Sequence, residues 1–342
     1  MMNDNTNLRR VILVTVLILY GIIWHVFRIR EPEFSRAVVT GDRDKILKML
    51  KSHPEFIGVT RNSRQMWPGR TPLHSAVSAN RQDMVEFLLS KGAAIDGAPN
   101  YESPLYLAVY ERNEGIANYL IERGANPNNH DSANNTPLIA ACERGLTNLA
   151  AVLLNRGADI NVTNIYGETA LITVCIKGYF DIATNLLKHS ADPMIGDKSY
   201  GRTCLHHAAK RGYMNITSVL LDQGVPIETR DREGNTPLHC AAENAKTNTA
   251  RLLLDQGAQV NATNYIGATP LHQAADCNWV PPYPVKAVEL LLKHGADINA
   301  ETRDGLTPLA LAKQKQHSSV ETLLEQNGGK TSDRMHQKRN RK

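Results

Sequence analysis

Thr236-Pro237-Leu238-His239 and Thr269-Pro270-Leu271-His272 stand 33 residues apart, and a third intact copy, Thr71-Pro72-Leu73-His74, lies upstream. Elsewhere the pattern decays without losing its place, as Ser103-Pro104-Leu105-Tyr106, Thr136-Pro137-Leu138-Ile139, Thr169-Ala170-Leu171-Ile172, Thr203-Cys204-Leu205-His206 and Thr307-Pro308-Leu309-Ala310. From first copy to last the spacings are 32, 33, 33, 34, 33, 33 and 38. A second landmark keeps the same phase: 21 residues after the motif's first residue come Gly92-Ala93, Gly124-Ala125, Gly157-Ala158 and Gly257-Ala258. Paired leucines such as Leu88-Leu89, Leu153-Leu154 and Leu253-Leu254 precede them. Two features locked in phase over eight copies mark a chain built of stacked repeats.

Each element has a physical reading. A Thr-Pro start is a helix N-terminus: the hydroxyl caps free N–H groups, and proline at the first helical position has no N–H to leave unpaired. Apolar residues at helical spacing predict a short first helix, and the Leu-Leu pairs predict a second packed against it. Glycine at its end suits the left-handed residue that stops a helix. Asn161, Asn261 and Asn299 follow, then a glycine two residues before the next threonine (Gly167, Gly234, Gly267, Gly305), as a turn with positive φ requires. Asn134 takes that place where glycine is missing.

With these residues in view the chain resembles the ankyrin-repeat family, whose 33-residue unit is a β-turn and two antiparallel helices with a Thr-Pro-Leu-His signature. The resemblance covers residues 34–327 and implies an all-α solenoid of about nine helix-pair units linked by short β-turns. Phe34 to Phe56 reads as a degenerate leading cap, with Ala37 and Leu50 at core positions and Gly41 and Asp42 at the turn between its helices. The 38-residue spacing arises at Asp276-Cys277-Asn278-Trp279-Val280-Pro281-Pro282-Tyr283-Pro284. Three prolines there predict a projecting loop, on which Trp279 and Tyr283 either anchor a partner or fold back over a neighbouring unit. Ser190-Ala191 replaces Gly-Ala ahead of a unit one residue longer, predicting a small irregularity in the stack.

The 342-residue chain has a formal net charge of +5, and all of that excess is terminal. Residues 328–342 hold six Lys/Arg against Asp333, and residues 1–30 hold four Arg against Asp4. The body is therefore slightly acidic, which argues against nucleic acid as a partner. Residues 11–27, apolar except for Thr15 and His25, lie between Arg9-Arg10 and Arg28/Arg30. A helical run of that length reaches about 25 Å, enough for a membrane with snorkelling arginines and slight thinning. It reads as a single-pass membrane anchor behind an N-terminal tail of residues 1–10. A cleaved export signal is the alternative, although no small residues placed for a peptidase follow Phe27. Arg28, Arg30 and Arg36 after the span outnumber Arg9 and Arg10 before it, favouring cytoplasmic repeats. Residues 328–342 read as a disordered basic tail, whose Lys338, Arg339, Arg341 and Lys342 suit an anionic inner leaflet.

No nucleophile-base-acid set, phosphate loop or ligand-spaced Cys/His cluster turns up, so neither an enzyme nor a cofactor nor a metal site is expected. The five cysteines read as packing residues. Cys142 and Cys175, each six residues after a motif threonine, would sit roughly 10 Å apart in stacked helices, beyond the ~7 Å a disulfide allows. His74, His206, His239 and His272 belong to the motif, and the resemblance implies that each bonds backbone near the turn. Asn134, Asn161, Asn215 and Asn261 open glycosylation sequons that matter only in a secretory lumen.

A repeat stack offers turn tips and first helices as a long concave binding face. Its candidate contacts are Trp67, Tyr166, Arg232, Glu233 and Tyr265 at turn tips, with Tyr110, Glu111, His207, Lys210 and Arg211 on first helices. Trp279 and Tyr283 complete the set. The function expected is a membrane-anchored scaffold for unknown protein partners; the alternative is an exported effector whose N-terminal segment serves only for export.

Overall fold

A computed structural model of the chain describes residues 33–58, 70–98, 102–277 and 283–331. The segments read above as an N-terminal tail and a membrane anchor lie outside them, as do Trp67, Trp279 and residues 332–342. Among the described residues no helix is long and apolar enough to cross a membrane, and none is in a strand. The chain divides into two compact units between Ala140 and Ala141.

In the first unit residues 33–40 form α1. Then come α2 (Arg43–Ser52), a 3₁₀ turn (Pro54–Ile57), α3 (Pro72–Ser78), α4 (Gln82–Ser90), α5 (Pro104–Tyr110), α6 (Glu114–Glu122) and the start of α7 (Pro137–Arg144). Phe34 and Phe56 close the leading cap with ring centroids 5.7 Å apart, and Ala37, Val38 and Ile46 are buried with them. The core position on α2 is thus Ile46 and not Leu50, which is only half-buried. Asp42 begins α2 by accepting the Lys45 N–H at 3.0 Å.

The second unit holds the rest of α7, α8 (Thr147–Asn155), α9 (Ala170–Lys177), α10 (Phe180–Lys188), α11 (Cys204–Arg211), α12 (Met214–Asp222), α13 (Pro237–Glu243), α14 (Thr247–Asp255), α15 (Pro270–Ala275), α16 (Tyr283–Lys293), α17 (Pro308–Gln314) and α18 (Ser318–Gln326). Helices this short are marginal in water alone, so packing of one repeat on the next sustains them. The buried motif leucines do this: Leu238, Leu271 and Leu309 share one apolar cluster with Leu253, Val288, Leu291 and Leu324. Each such side chain contributes about 1.5–3 kcal/mol when buried. All five cysteines are buried.

Polar bonds set the register between repeats. In α13, the Nδ1 of His239 accepts the Thr236 N–H at 3.1 Å, and its Nε2 reaches the Ala268 carbonyl of the next repeat at 3.0 Å. His206 and His272 do the same to Asn235 and Leu306, and in the first unit His74 bonds Thr71 and Glu102. An acceptor at Nδ1 and a donor at Nε2 define a neutral ring. Burial accordingly holds His74 and His239 down to about 4. The recurrent residues after the second helix make a second stitch: Asn161, Asn261 and Asn299 accept N–H bonds from Asp192, Asp297 and Lys330. Lys330 also accepts a bond from the Thr307 hydroxyl, so the first residues of the segment assigned to a basic tail are bound to the last repeat.

Two expectations change. Tyr283 begins α16 instead of standing in the projecting loop, because Pro284 falls in the first helical turn, where proline costs no hydrogen bond. The longer unit is accommodated within one turn: Gly201 N–H bonds the Asp197 carbonyl four residues back, where Gly234 bonds Asp231 three back.

Candidate functional site

In the second unit the turns between repeats share one plan. At the root of four of them a side chain accepts two backbone N–H bonds: Asn164 from Tyr166 and Glu168, Asp197 from Tyr200 and Gly201, Asp231 from Glu233 and Asn235, Asn264 from Ile266 and Ala268; at the root of the next, Thr302 accepts the Leu306 N–H. With its root so fixed the tip must point outward. Successive tips are joined by backbone bonds, from Lys198 N–H to the Tyr166 carbonyl, Arg232 to Tyr200, Tyr265 to Glu233 and Arg303 to Ile266. Gly234 has φ of +80° and lies under the Tyr265 ring, where a Cβ would come within 2.7 Å of the ring. The rigid frame exposes apolar side chains: Tyr166 is 59% accessible, Tyr265 55% and Ile266 61%, with Ile165 and Tyr200 close behind.

Beneath the tips lies a buried ionic layer. Arg202 donates to Asp231 at 3.2 Å and approaches Glu233 at 3.9 Å, while its guanidinium sits 4.5 Å from the Tyr200 ring centroid. The Nε2 of His207 donates to Asp197 at 2.9 Å. Burial lowers His207 to about 4 against that bond. Burial opposes ionisation of Asp197, but the Tyr200 N–H and the His207 ring hold its carboxyl below the usual range. These groups position Tyr200 and Arg232, and a truncated partner would strand a buried charge.

Of the residues singled out from sequence, Tyr166, Arg232, Glu233 and Tyr265 come together on this tip surface, with Arg232 donating to the Lys198 carbonyl. His207, expected on the open face, is largely buried as a support of the turn. Lys210 and Arg211 close the opposite end of α11, about 12 Å along a helix of that length, and do not join the tips. In the first unit Tyr110 is exposed and stacks on Tyr106 at 5.9 Å, while Glu111 accepts from Ser78 at 3.1 Å. The Tyr283 side chain lies outside the described residues. Sequence reasoning missed Arg202, Asp197, Asp231, Tyr200, Ile165 and Ile266. Their signal was present in the five-residue offset of Asn164, Asp231 and Asn264 from the next motif threonine. Among the described residues no group of His, Cys, Asp and Glu is placed to hold a metal ion.

A model of ankyrin repeats in three copies matches residues 34–131, 125–197, 192–264 and 263–334. Among solved structures, the human ASB11 ankyrin repeat domain is similar at a TM-score of 0.60 and 29% identity, over 67% of this chain and 99% of that one. The fold is one whose characteristic work is binding other proteins, and 569 solved chains match it, so it does not by itself name a partner. With matched segments running across most of its length, the chain belongs to the ankyrin-repeat family.

Proposed function

We propose that this protein is a membrane-tethered scaffold that binds a protein partner through the turn tips of its second unit. The observation that carries the reading is the row of Ile165, Tyr166, Tyr200, Tyr265 and Ile266, held out to solvent on a frame tied from turn to turn by backbone hydrogen bonds. Tyrosines on a rigid base lose little entropy on binding and are common interface anchors. Arg232 and Glu233 beside them supply directional bonds. The tether rests on residues 11–27, an apolar run between arginines.

Two measurements test this. Fractionation of the full-length protein with protease protection and N-terminal sequencing should recover residues 1–30 in membranes, with repeats cut only from the cytoplasmic side. A soluble product starting beyond Phe27 overturns the tether and favours export. Proteins cross-linked to the wild-type repeats should fall at least tenfold in yield with Tyr166→Ala/Tyr265→Ala/Ile266→Ala, and equal yield overturns the turn-tip assignment.

A further inference from the structure

A second surface lies at the opposite end of the first helices, where each turns into its partner. There each repeat covers a glycine of the one before. A Cβ on Gly145 would meet the Tyr179 ring at 2.9 Å, one on Gly178 the Tyr213 ring at 2.6 Å, and one on Gly212 the Lys246 stem at 3.0 Å. Tyr213 also donates to the Lys177 carbonyl at 3.2 Å. These contacts place Tyr179, Tyr213 and Lys246 in a stepped row over three successive repeats. On one flank, at the starts of α10 and α12, Phe180 and Met214 are exposed, Met214 by 43%. On the other, at the ends of α9 and α11, stand Lys177, Lys210 and Arg211. Glu143 approaches Lys177 at 3.8 Å, and Asp181 is the acidic residue in the first turn of α10, so the two repeats keep a positive excess on this edge. Glu243 at the end of α13 is offset by Lys246 at the start of α14 in the same repeat.

We propose that this edge docks an acidic amphipathic helix from a protein partner, independently of the turn tips. Stacked repeats advance by roughly 10 Å, and residues seven apart on a helix advance by about the same distance. A helix laid across the repeats therefore sets one apolar side chain per repeat against Tyr179–Phe180 and Tyr213–Met214. Its carboxylates then face Lys177, Lys210 and Arg211. A canopy of this kind reads spacing as well as charge.

The test uses the full-length chain in nanodiscs of neutral lipid and a fluorescent 21-residue helical peptide with leucines every seven residues, flanked by glutamates. Its scrambled isomer and anionic phosphatidylserine vesicles serve as comparisons. Anisotropy should show the ordered peptide binding at least tenfold tighter than the scramble. Lys210→Glu/Arg211→Glu and Phe180→Asp/Met214→Asp, each first checked to keep the wild-type melting temperature, should weaken it tenfold or more. Tyr166→Ala/Tyr265→Ala should change it less than twofold, which separates this edge from the turn tips. Equal binding of the scramble, indifference to the edge variants, or capture of anionic vesicles that the edge variants abolish overturns the proposal.

Discussion

Repeats that keep the motif histidine and repeats that replace it solve the same packing problem by different physics. In α11, α13 and α15 a neutral imidazole ties its own helix start to the next turn, from Thr203, Thr236 and Thr269 to Asn235, Ala268 and Leu306. In α9 the equivalent residue is Ile172, fully buried, and Thr169 still caps the helix by accepting the Ile172 N–H at 3.2 Å. In α5 Tyr106 takes the place and its hydroxyl reaches Asp131 at 3.0 Å. Capping and leucine packing are common to both kinds of repeat. The bond across the interface is what differs: an imidazole to a backbone carbonyl in α11, α13 and α15, a phenol to a carboxylate in α5, and an apolar side chain in α9.

The largest consequence is acid lability of the histidine repeats. An unfolded histidine titrates near 6.5, whereas burial holds His74 and His239 to about 4 and lowers His206 and His272 as well. As pH falls the unfolded chain therefore takes up protons first. The stabilisation is present in full above about pH 6.5 and is lost progressively down to about pH 4, on the order of 3 kcal/mol for each strongly shifted ring. Hydrogen exchange followed from pH 7 to 4, corrected for intrinsic rates, should show α11 and α13 losing protection before α9. Simultaneous loss would mean that the whole second unit opens together and that the local difference has no thermodynamic expression.

His239→Ile sharpens the comparison by copying the α9 solution into α13. The isoleucine leaves the Thr236 N–H and the Ala268 carbonyl without their ring partner, which costs about 2–4 kcal/mol at pH 7.5. Since the variant no longer has the depressed imidazole, its deficit should shrink towards zero at pH 4.5. Urea denaturation at the two pH values measures both effects. A deficit independent of pH would show that the ring acts by shape and not by its neutral charge state.

What was readable in the sequence divides along the same line. Thr236-Pro237, Leu238, the glycines at helix ends and the recurrent asparagines each act within one repeat or at a fixed offset, so periodicity alone exposes them. His207 was misplaced because its partner Asp197 lies in the one turn with an extra residue, which shifts the root of the turn relative to the motif. Arg202 was missed because its partner Asp231 is 29 residues on and becomes a neighbour only once repeats stack in register. Leu50 was preferred to Ile46 because the leading cap lacks the motif that fixes phase. Tyr166 and Tyr265 were legible as turn-tip residues, whereas Tyr200 joins them through the backbone bond at its turn root, which no hydropathy pattern reports.

Ser190 offers the smallest and cleanest change. It ends α10's repeat in the left-handed region at φ 64°, where Gly157, Gly224 and Gly257 stand in neighbouring repeats at φ between 81° and 91°. A residue with a Cβ pays about 1–2 kcal/mol for that conformation. Glycine removes the strain but adds freedom to the unfolded chain, roughly 0.5–1 kcal/mol. The backbone bond from the Ser190 N–H to the Leu187 carbonyl at 3.0 Å does not depend on the side chain and survives the exchange. Ser190→Gly should therefore stabilise the second unit by about 0.5–1 kcal/mol, seen as a small rise in urea midpoint at unchanged slope. Because no histidine is involved, the gain should be the same at pH 7.5 and pH 4.5, unlike the deficit of His239→Ile. A gain appearing at only one pH would mean that the α10 end is coupled to the imidazole bonds of the repeats that follow it.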